Sequence, residues 1–282
     1  MISPLQPQAL LAAVRELRPL PATSARLASL VARPDTHLVE IVETISYDQT
    51  LTLRLLRAAN SAASGARVEV RLVKDAIVRL GTGTCLSLAV SDSAGEALGG
   101  KSSDAANATL WRHSVAATAA AEVLRGASSL ELGPELFTTA LLHDVGKLIL
   151  SRFLDENLRE ALRRAQQEGG LESSAAELEL LGLNHGDVGA LVAQHWQLPE
   201  TIMQGIVYHH EPETIDSPVA LAVAVADRLA HAALRDGPEG RDPLAHLSAS
   251  VLARLELSST TAEELVQRTA ERFEAVFAAY AG

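Results

Sequence analysis

A single cysteine, Cys85, stands in the 282 residues, so no internal disulfide framework exists and a reducing compartment is the expectation. Following Gly83 inside an apolar run, Cys85 reads as packing rather than as a nucleophile. Aromatic residues make up only 3 % of the chain, leaving few flat side chains on which a purine base could stack. No apolar run approaches the ~20 residues that span a bilayer; the longest lies around 218–226. The opening Met1-Ile2-Ser3-Pro4-Leu5-Gln6-Pro7 has neither a basic start nor an apolar stretch, and does not read as a signal peptide. A cytoplasmic protein without a membrane partner is expected.

Positive charge is also scarce. The net charge is −11, which argues against a general nucleic-acid binder, because phosphate contacts need a basic surface. Residues 1–79 carry 10 Lys/Arg against 7 Asp/Glu, a balance of +3, and the remainder carries 14 against 28, a balance of −14. The slight basic excess leaves a small opening for an acidic partner, although ordinary solvated helix faces are the better explanation of so small a difference. Several catalytic templates are missing too. There is no Gly-rich phosphate loop followed by Lys-Ser/Thr, no His-Glu-x-x-His helix and no Gly-x-Ser-x-Gly elbow.

What the chain has in abundance is Ala and Leu, with no strand-like alternation and no internal repeat, so an all-α fold is predicted. Short amphipathic helices fill the first hundred residues. Asp35 or Thr36 is a candidate cap for one, and Asp48 for the helix over 49–60. A turn follows at 61–66, and Gly81 is a stop for the helix over 75–80. Gly99-Gly100-Lys101-Ser102-Ser103-Asp104 reads as a linker, dividing a lobe over 1–100 from a helical lobe over 105–235, with further helices over 236–282. The second lobe is predicted to hold a helix over 105–125 and one from Pro134 through His143-Asp144 to about Phe153. Others run over 158–168, from His185 behind an Asn184/Asp187 capping box, and from Pro199 to His209-His210-Glu211-Pro212. Pro218 opens the helix that carries Asp227. Thr261 with Glu264 caps the last helix, where Phe273, Phe277 and Tyr280 form a stripe read as packing.

The chemistry is concentrated in imidazoles and carboxylates set inside apolar helices. Leu141-Leu142-His143-Asp144-Val145-Gly146-Lys147-Leu148-Ile149-Leu150 interrupts a core-like run with three polar residues, and leaving them buried and unpaired would cost several kcal/mol. A metal ion satisfies a neighbouring imidazole and carboxylate at once. A buried His–Asp hydrogen bond with Lys147 reaching outward is the competing explanation. Gly146 lets a second helix approach, and Lys147, one turn after His143, could hold a phosphate oxygen. His113 alone is more simply a satisfied polar residue. His185 at a helix start favours a neutral ring, whereas His209 and His210 at a helix end would favour protonation. Asp227 has Arg228 or His231 as ordinary partners.

The ordered set His113, His143-Asp144-x-Gly146-Lys147, Asn184-His185-Gly186-Asp187, His209-His210 and Ala226-Asp227 resembles the HD superfamily of metal-dependent phosphohydrolases. The first part carries a narrower resemblance, to the HD-related output domain (HDOD) branch. Its signals are Leu20-Pro21, Ser46-Tyr47-Asp48-Gln49, Leu55-Leu56-Arg57-Ala58-Ala59-Asn60-Ser61 and Ala76-Ile77-Val78-Arg79-Leu80-Gly81. Trp111-Arg112-His113-Ser114 and Trp196-Gln197-Leu198-Pro199 continue the match, which covers about 14–230. The resemblance implies an N-terminal helical lobe packed on an HD-type bundle, in a bacterial signalling or regulatory setting. It implies one or two divalent transition-metal ions, iron, manganese or zinc. By similarity to the two-metal HD-GYP branch, His113, His143, Asp144 and Asp227 would hold one ion, and Asp144 would bridge to a second held by His185, His209 and His210. Asp144 and Lys147 would then be the catalytic residues. The Gly-Tyr-Pro segment of that branch is absent after His210, where Glu211-Pro212-Glu213 follows. Two functions stay open: an output module acting on a signalling protein partner or nucleotide ligand, and a phosphohydrolase of nucleotides or cyclic dinucleotides.

Overall fold

The computed structural model describes residues 7–61, 69–97, 105–167, 172–235, 244, 247–257 and 261–280. Among them every regular element is helical, and the one β-bridge joins Ser128 to Leu257. The fold is all-α.

The first six helices are α1 (Pro7–Arg15), α2 (Ala22–Val31), α3 (Leu38–Ser46), α4 (Gln49–Asn60), α5 (Val73–Leu80) and α6 (Thr82–Ala97). The expected caps on α4 and α5 are found: Asp48 accepts the Leu51 N–H, and Gly81 sits at φ 79° behind α5, a conformation open to glycine. At α3 the cap is His37, in a capping box with Glu40, rather than Asp35 or Thr36. Asp35 is instead paired with Arg33. The expected turn at 61–66 and linker at 99–104 lie outside the described residues, apart from Ser61.

Then come α7 (Ala105–Ala127), α8 (Leu136–Leu142), α9 (Val145–Ser151), α10 (Glu156–Gln167), α11 (Ser173–Leu181), α12 (His185–His195), α13 (Glu200–Val207), α14 (Pro218–Leu234), α15 (Ala249–Arg254) and α16 (Ala262–Tyr280). The single helix expected from Pro134 to Phe153 is two helices. His143 still has helical dihedrals, but Asp144 stands at φ −97°, ψ 5° and starts a new helix. The break turns both side chains toward one place, which a straight helix, with neighbours about 100° apart, would not do as well. The helix expected to reach Pro212 ends at Val207, so His209 and His210 lie just beyond it.

α7 is central. It packs against α8, α14 and α16, and α6 joins α8 to α2, α4 and α5. One contiguous core runs from Leu27 and Leu55 through Leu86 to Leu141, Val223 and Phe273. Cys85 lies in it as a free, buried thiol whose pKa burial pushes up to about 12, inert as expected. Phe273 and Phe277 pack under the Arg112 guanidinium of α7; the Tyr280 side chain lies outside the description.

Candidate metal centre

Five separate segments deliver the site. α7 carries His113, the α8–α9 break His143 and Asp144, the first residue of α12 His185, the turn after α13 His209 and His210, and α14 Asp227. Gly146 permits the convergence. A Cβ there would stand 1.9 Å from the His185 carbonyl oxygen and 2.7 Å from the Gly189 nitrogen, so α9 and α12 touch backbone to backbone.

The seven residues predicted as ligands lie together. His113 Nε2 is 2.9 Å from Asp227 Oδ1, 3.3 Å from His143 Nε2 and 3.7 Å from Asp144 Oδ2. On the other side His185 Nε2 is 3.2 Å from Asp144 Oδ1, 3.4 Å from His209 Nε2 and 2.8 Å from His210 Nε2. Asp144 stands between the two halves. His185, His209 and His210 form one group able to hold a cation, and His113, His143 and Asp144 another.

The outer ring nitrogens show how the inner ones are prepared. His143 donates from Nδ1 to the Ala140 carbonyl at 2.7 Å, His209 from Nδ1 to the Ile206 carbonyl at 2.6 Å, and His185 from Nδ1 to Glu177 Oε2 at 2.6 Å. Carbonyl and carboxylate oxygens only accept, so each Nδ1 bears the hydrogen. In the neutral ring each Nε2 is then a bare lone pair facing inward. Burial favours that state, but Asp144 with Asp227 at His143, and Asp144 with Glu177 at His185, outweigh burial and raise both pKa values. Without an ion, the neutral ring expected for His185 at a helix start is therefore not favoured. Lone pairs 3.4 Å apart, as on His185 and His209, repel unless a metal ion or a proton lies between them. That separation suits ligands at about 2.0–2.1 Å around one ion. Asp144 Oδ1 is buried without a hydrogen bond, a further donor left free. The residues present fit a transition-metal ion, with imidazole and carboxylate favouring iron, manganese or zinc over magnesium.

Charges are arranged to the same end. Burial raises the pKa of Asp144, but Lys147, His143 and His185 outweigh it and hold the carboxyl well below its usual range. Asp227 is likewise held low, against burial, by hydrogen bonds with His113 and His143. Burial, with His210 and His143 adding to it, lowers His209 strongly. Burial together with His185 brings His210 to about 3. The protonated pair that a helix end would favour is therefore not found, because desolvation dominates the exposed-dipole effect. Lys147 Nζ lies 2.7 Å from Asp144 Oδ2 and its side chain is 27 % exposed, so the amine pairs with the cluster while facing outward. Of the two ordinary partners considered for Asp227, Arg228 instead pairs with Glu172, and His231 Nε2 lies 3.5 Å away.

Glu177 is the residue that sequence reading missed. It accepts both the backbone N–H and the ring of His185, at 2.8 and 2.6 Å, in the manner of carboxylates that orient metal-binding histidines. It sits buried on α11 between Ala176 and Leu178 in the chain; an acid flanked by apolar neighbours was the available signal.

The fold and this cluster define a helical protein of the HD type. The chain matches the HDOD domain over residues 17–212 and belongs to that family. An HDOD domain protein of unknown function from Geobacter sulfurreducens is 25 % identical, with TM-score 0.67 over 98 % of this chain and 97 % of its own. A candidate phosphohydrolase from Shewanella amazonensis SB2B is 27 % identical, with TM-score 0.65 over 95 % of this chain and 98 % of its own. A curated but uncharacterized protein of Treponema pallidum (strain Nichols) is 25 % identical across 94 % of this chain and 50 % of its own length, so the chain spans about half of that relative. No helix among the described residues is long and apolar enough to cross a membrane.

Proposed function

We propose that the chain is a signalling module of the HDOD type that retains an HD-type metal site and passes the state of that site to its N-terminal helices. The observation that carries the reading is the set of three histidines with Nδ1 tied off and Nε2 turned inward. His113, His143, Asp144 and Asp227 would hold one ion, and His185, His209 and His210 a second, with Asp144 shared. A bound ion of this kind supplies Lewis acidity and a lowered pKa for water. The protein's own contribution is to fix tautomers through Ala140, Ile206 and Glu177, to keep both carboxylates ionised, and to exclude water from the buried half.

Transmission is supported by α12. His185 opens that helix at the cluster. At its far end His195 Nε2 meets the Leu17 carbonyl at 3.0 Å, and Trp196 donates to the Arg18 carbonyl at 2.9 Å. One rigid element thus spans from the cluster to the chain between α1 and α2.

A second reading, phosphohydrolysis, has its own observation. A cavity of about 330 Å³ opens beside the cluster, lined by His113, Asp144, Lys147 and Ser151 among others. Lys147 would there bind a phosphate oxygen and offset its charge. The two readings separate on one experiment. Elemental analysis of chain purified without chelator should find one or two iron, manganese or zinc ions, lost on joint H143A and D144A substitution. The loaded protein is then assayed against a nucleotide panel. Metal without turnover leaves the signalling module, turnover favours the hydrolase, and no metal removes both.

A further inference from the structure

One imidazole beside the cluster is not used by either ion described above. His231 lies one turn beyond Asp227 on α14, with Nε2 3.5 Å from Asp227 Oδ1. Its ring centroid is 4.2 Å from that of His113, with the planes 34° apart. His113, Asp227 and His231 each bring a ligand atom within 4.8 Å of the other two.

This trio lies at a boundary. His113 and Asp227 are buried, whereas the His231 side chain is 41 % exposed and lines the 330 Å³ cavity together with Lys147 and Ser151. His113 also has a satisfaction problem that Asp227 does not solve. Its Nε2 faces the Asp227 oxygen at 2.9 Å, and its Nδ1 is buried without a hydrogen-bond partner. A buried imidazole nitrogen left in that state is costly.

We propose that His231 is a metal ligand, forming with His113 and Asp227 an outer cation position at the mouth of the cavity. The inference rests on the metal-site reading given above and extends it to a residue outside the ligand set. Two imidazoles and a carboxylate are a donor set for a divalent transition metal. His113 and Asp227 belong also to the inner position, and a neutral imidazole offers one lone pair, so the two positions would compete for His113. The outer one has a solvent-facing residue, His231, on the cavity side, so an ion held there would be open to the cavity. Such an ion would be the more exchangeable one and would be accessible to water or to the phosphate of a ligand held beside Lys147. An Asp–His pair one helical turn apart, with no ion of its own, is the competing account: His231 would then tune the inner position through Asp227, and its loss would shift affinity without removing a set of Co²⁺ bands.

The test is a Co²⁺ titration of the full, metal-free chain, followed by its visible absorbance, with His231→Ala and His231→Gln alongside. His231 is partly exposed, so both variants should fold, which circular dichroism checks. Both should lose the bands of the outer position, a loss that an indirect partner of Asp227, which shifts affinity about tenfold or more without adding a position, does not produce. Bands assigned to the His185 side, by their loss in H185A, should stay unchanged. Identical spectra at saturation in wild type and both variants, at whatever affinity, would overturn the outer position while leaving the metal site intact. Absence of Co²⁺ uptake by the wild type would overturn the metal-site reading and this inference with it.

Discussion

Glu177 and His210 show how single residues set the site's chemistry. Glu177 binds His185 through both ring and backbone, so Glu177→Gln keeps the shape but weakens the carboxylate that makes the ring a better ligand. The expected result is a loss of about 10–100-fold in affinity for Zn²⁺, measured against a chelator, with little change in helix content. His210 bears on pH. Its folded pKa is lowered to about 3 by burial and by His185, whereas an unfolded imidazole titrates near 6.5. The unfolded chain therefore takes up a proton below about pH 6.5 that the folded chain refuses until about pH 3. His210's contribution is present above the unfolded value and erodes as pH falls through that window. In chelator, wild type should lose stability relative to His210→Gln by up to about 1.4 kcal/mol per pH unit between pH 6 and 4. Urea unfolding at a series of pH values measures it, and a pH-independent difference would contradict it.

At the scale of elements, the α9–α12 contact decides whether a site exists. Gly146 lets the two backbones meet, and the Cβ of an alanine there would clash with the His185 carbonyl oxygen. Backbone cannot rotate aside as a side chain can, so Gly146→Ala should destabilise by about 3 kcal/mol or more. Relief requires α12 to move, and His185 moves with it. The variant should thus lose the metal bound on the His185 side out of proportion to its loss of stability; metal content of the still-folded fraction reads this out. The opposite behaviour, full metal content in a destabilised protein, would place the glycine in packing alone.

Across the whole molecule, α12 joins the cluster to the N-terminal helices. His195 and Trp196 fasten its far end to the chain at Leu17 and Arg18, and α1 also packs on α9, which follows Asp144 directly. Loading the site with metal should slow amide hydrogen exchange in α2 as well as around the ligands. Trp196→Phe removes one hydrogen bond, a loss of about 1 kcal/mol, and should reduce the effect at α2 while leaving metal uptake unchanged. If exchange in α2 is indifferent to metal in the wild type, the helix is a strut and not a transmitter.

Helical class, most helix starts and the residues that cluster at the candidate site were legible in the chain because they rest on local chemistry. Asp48, Asn184 with Asp187, Thr261 with Glu264 and Gly81 each act within a few residues of their own position. The chain also placed imidazoles and acids at intervals matching a known family. What it could not show depended on neighbours distant in sequence. The break at Asp144 runs against a continuous apolar pattern, and tertiary packing prevailed over propensity there. The low pKa values of His209 and His210 follow from burial that a helix-end argument does not contain. Glu177 and His231 are linked to the cluster by contacts with α12 and α7. Local sequence thus determined which side chains were available and on what elements; only the closing of α9 on α12 and of α14 on α7 decided which nitrogen faces which oxygen, because tautomer, desolvation and charge are properties of the assembled site.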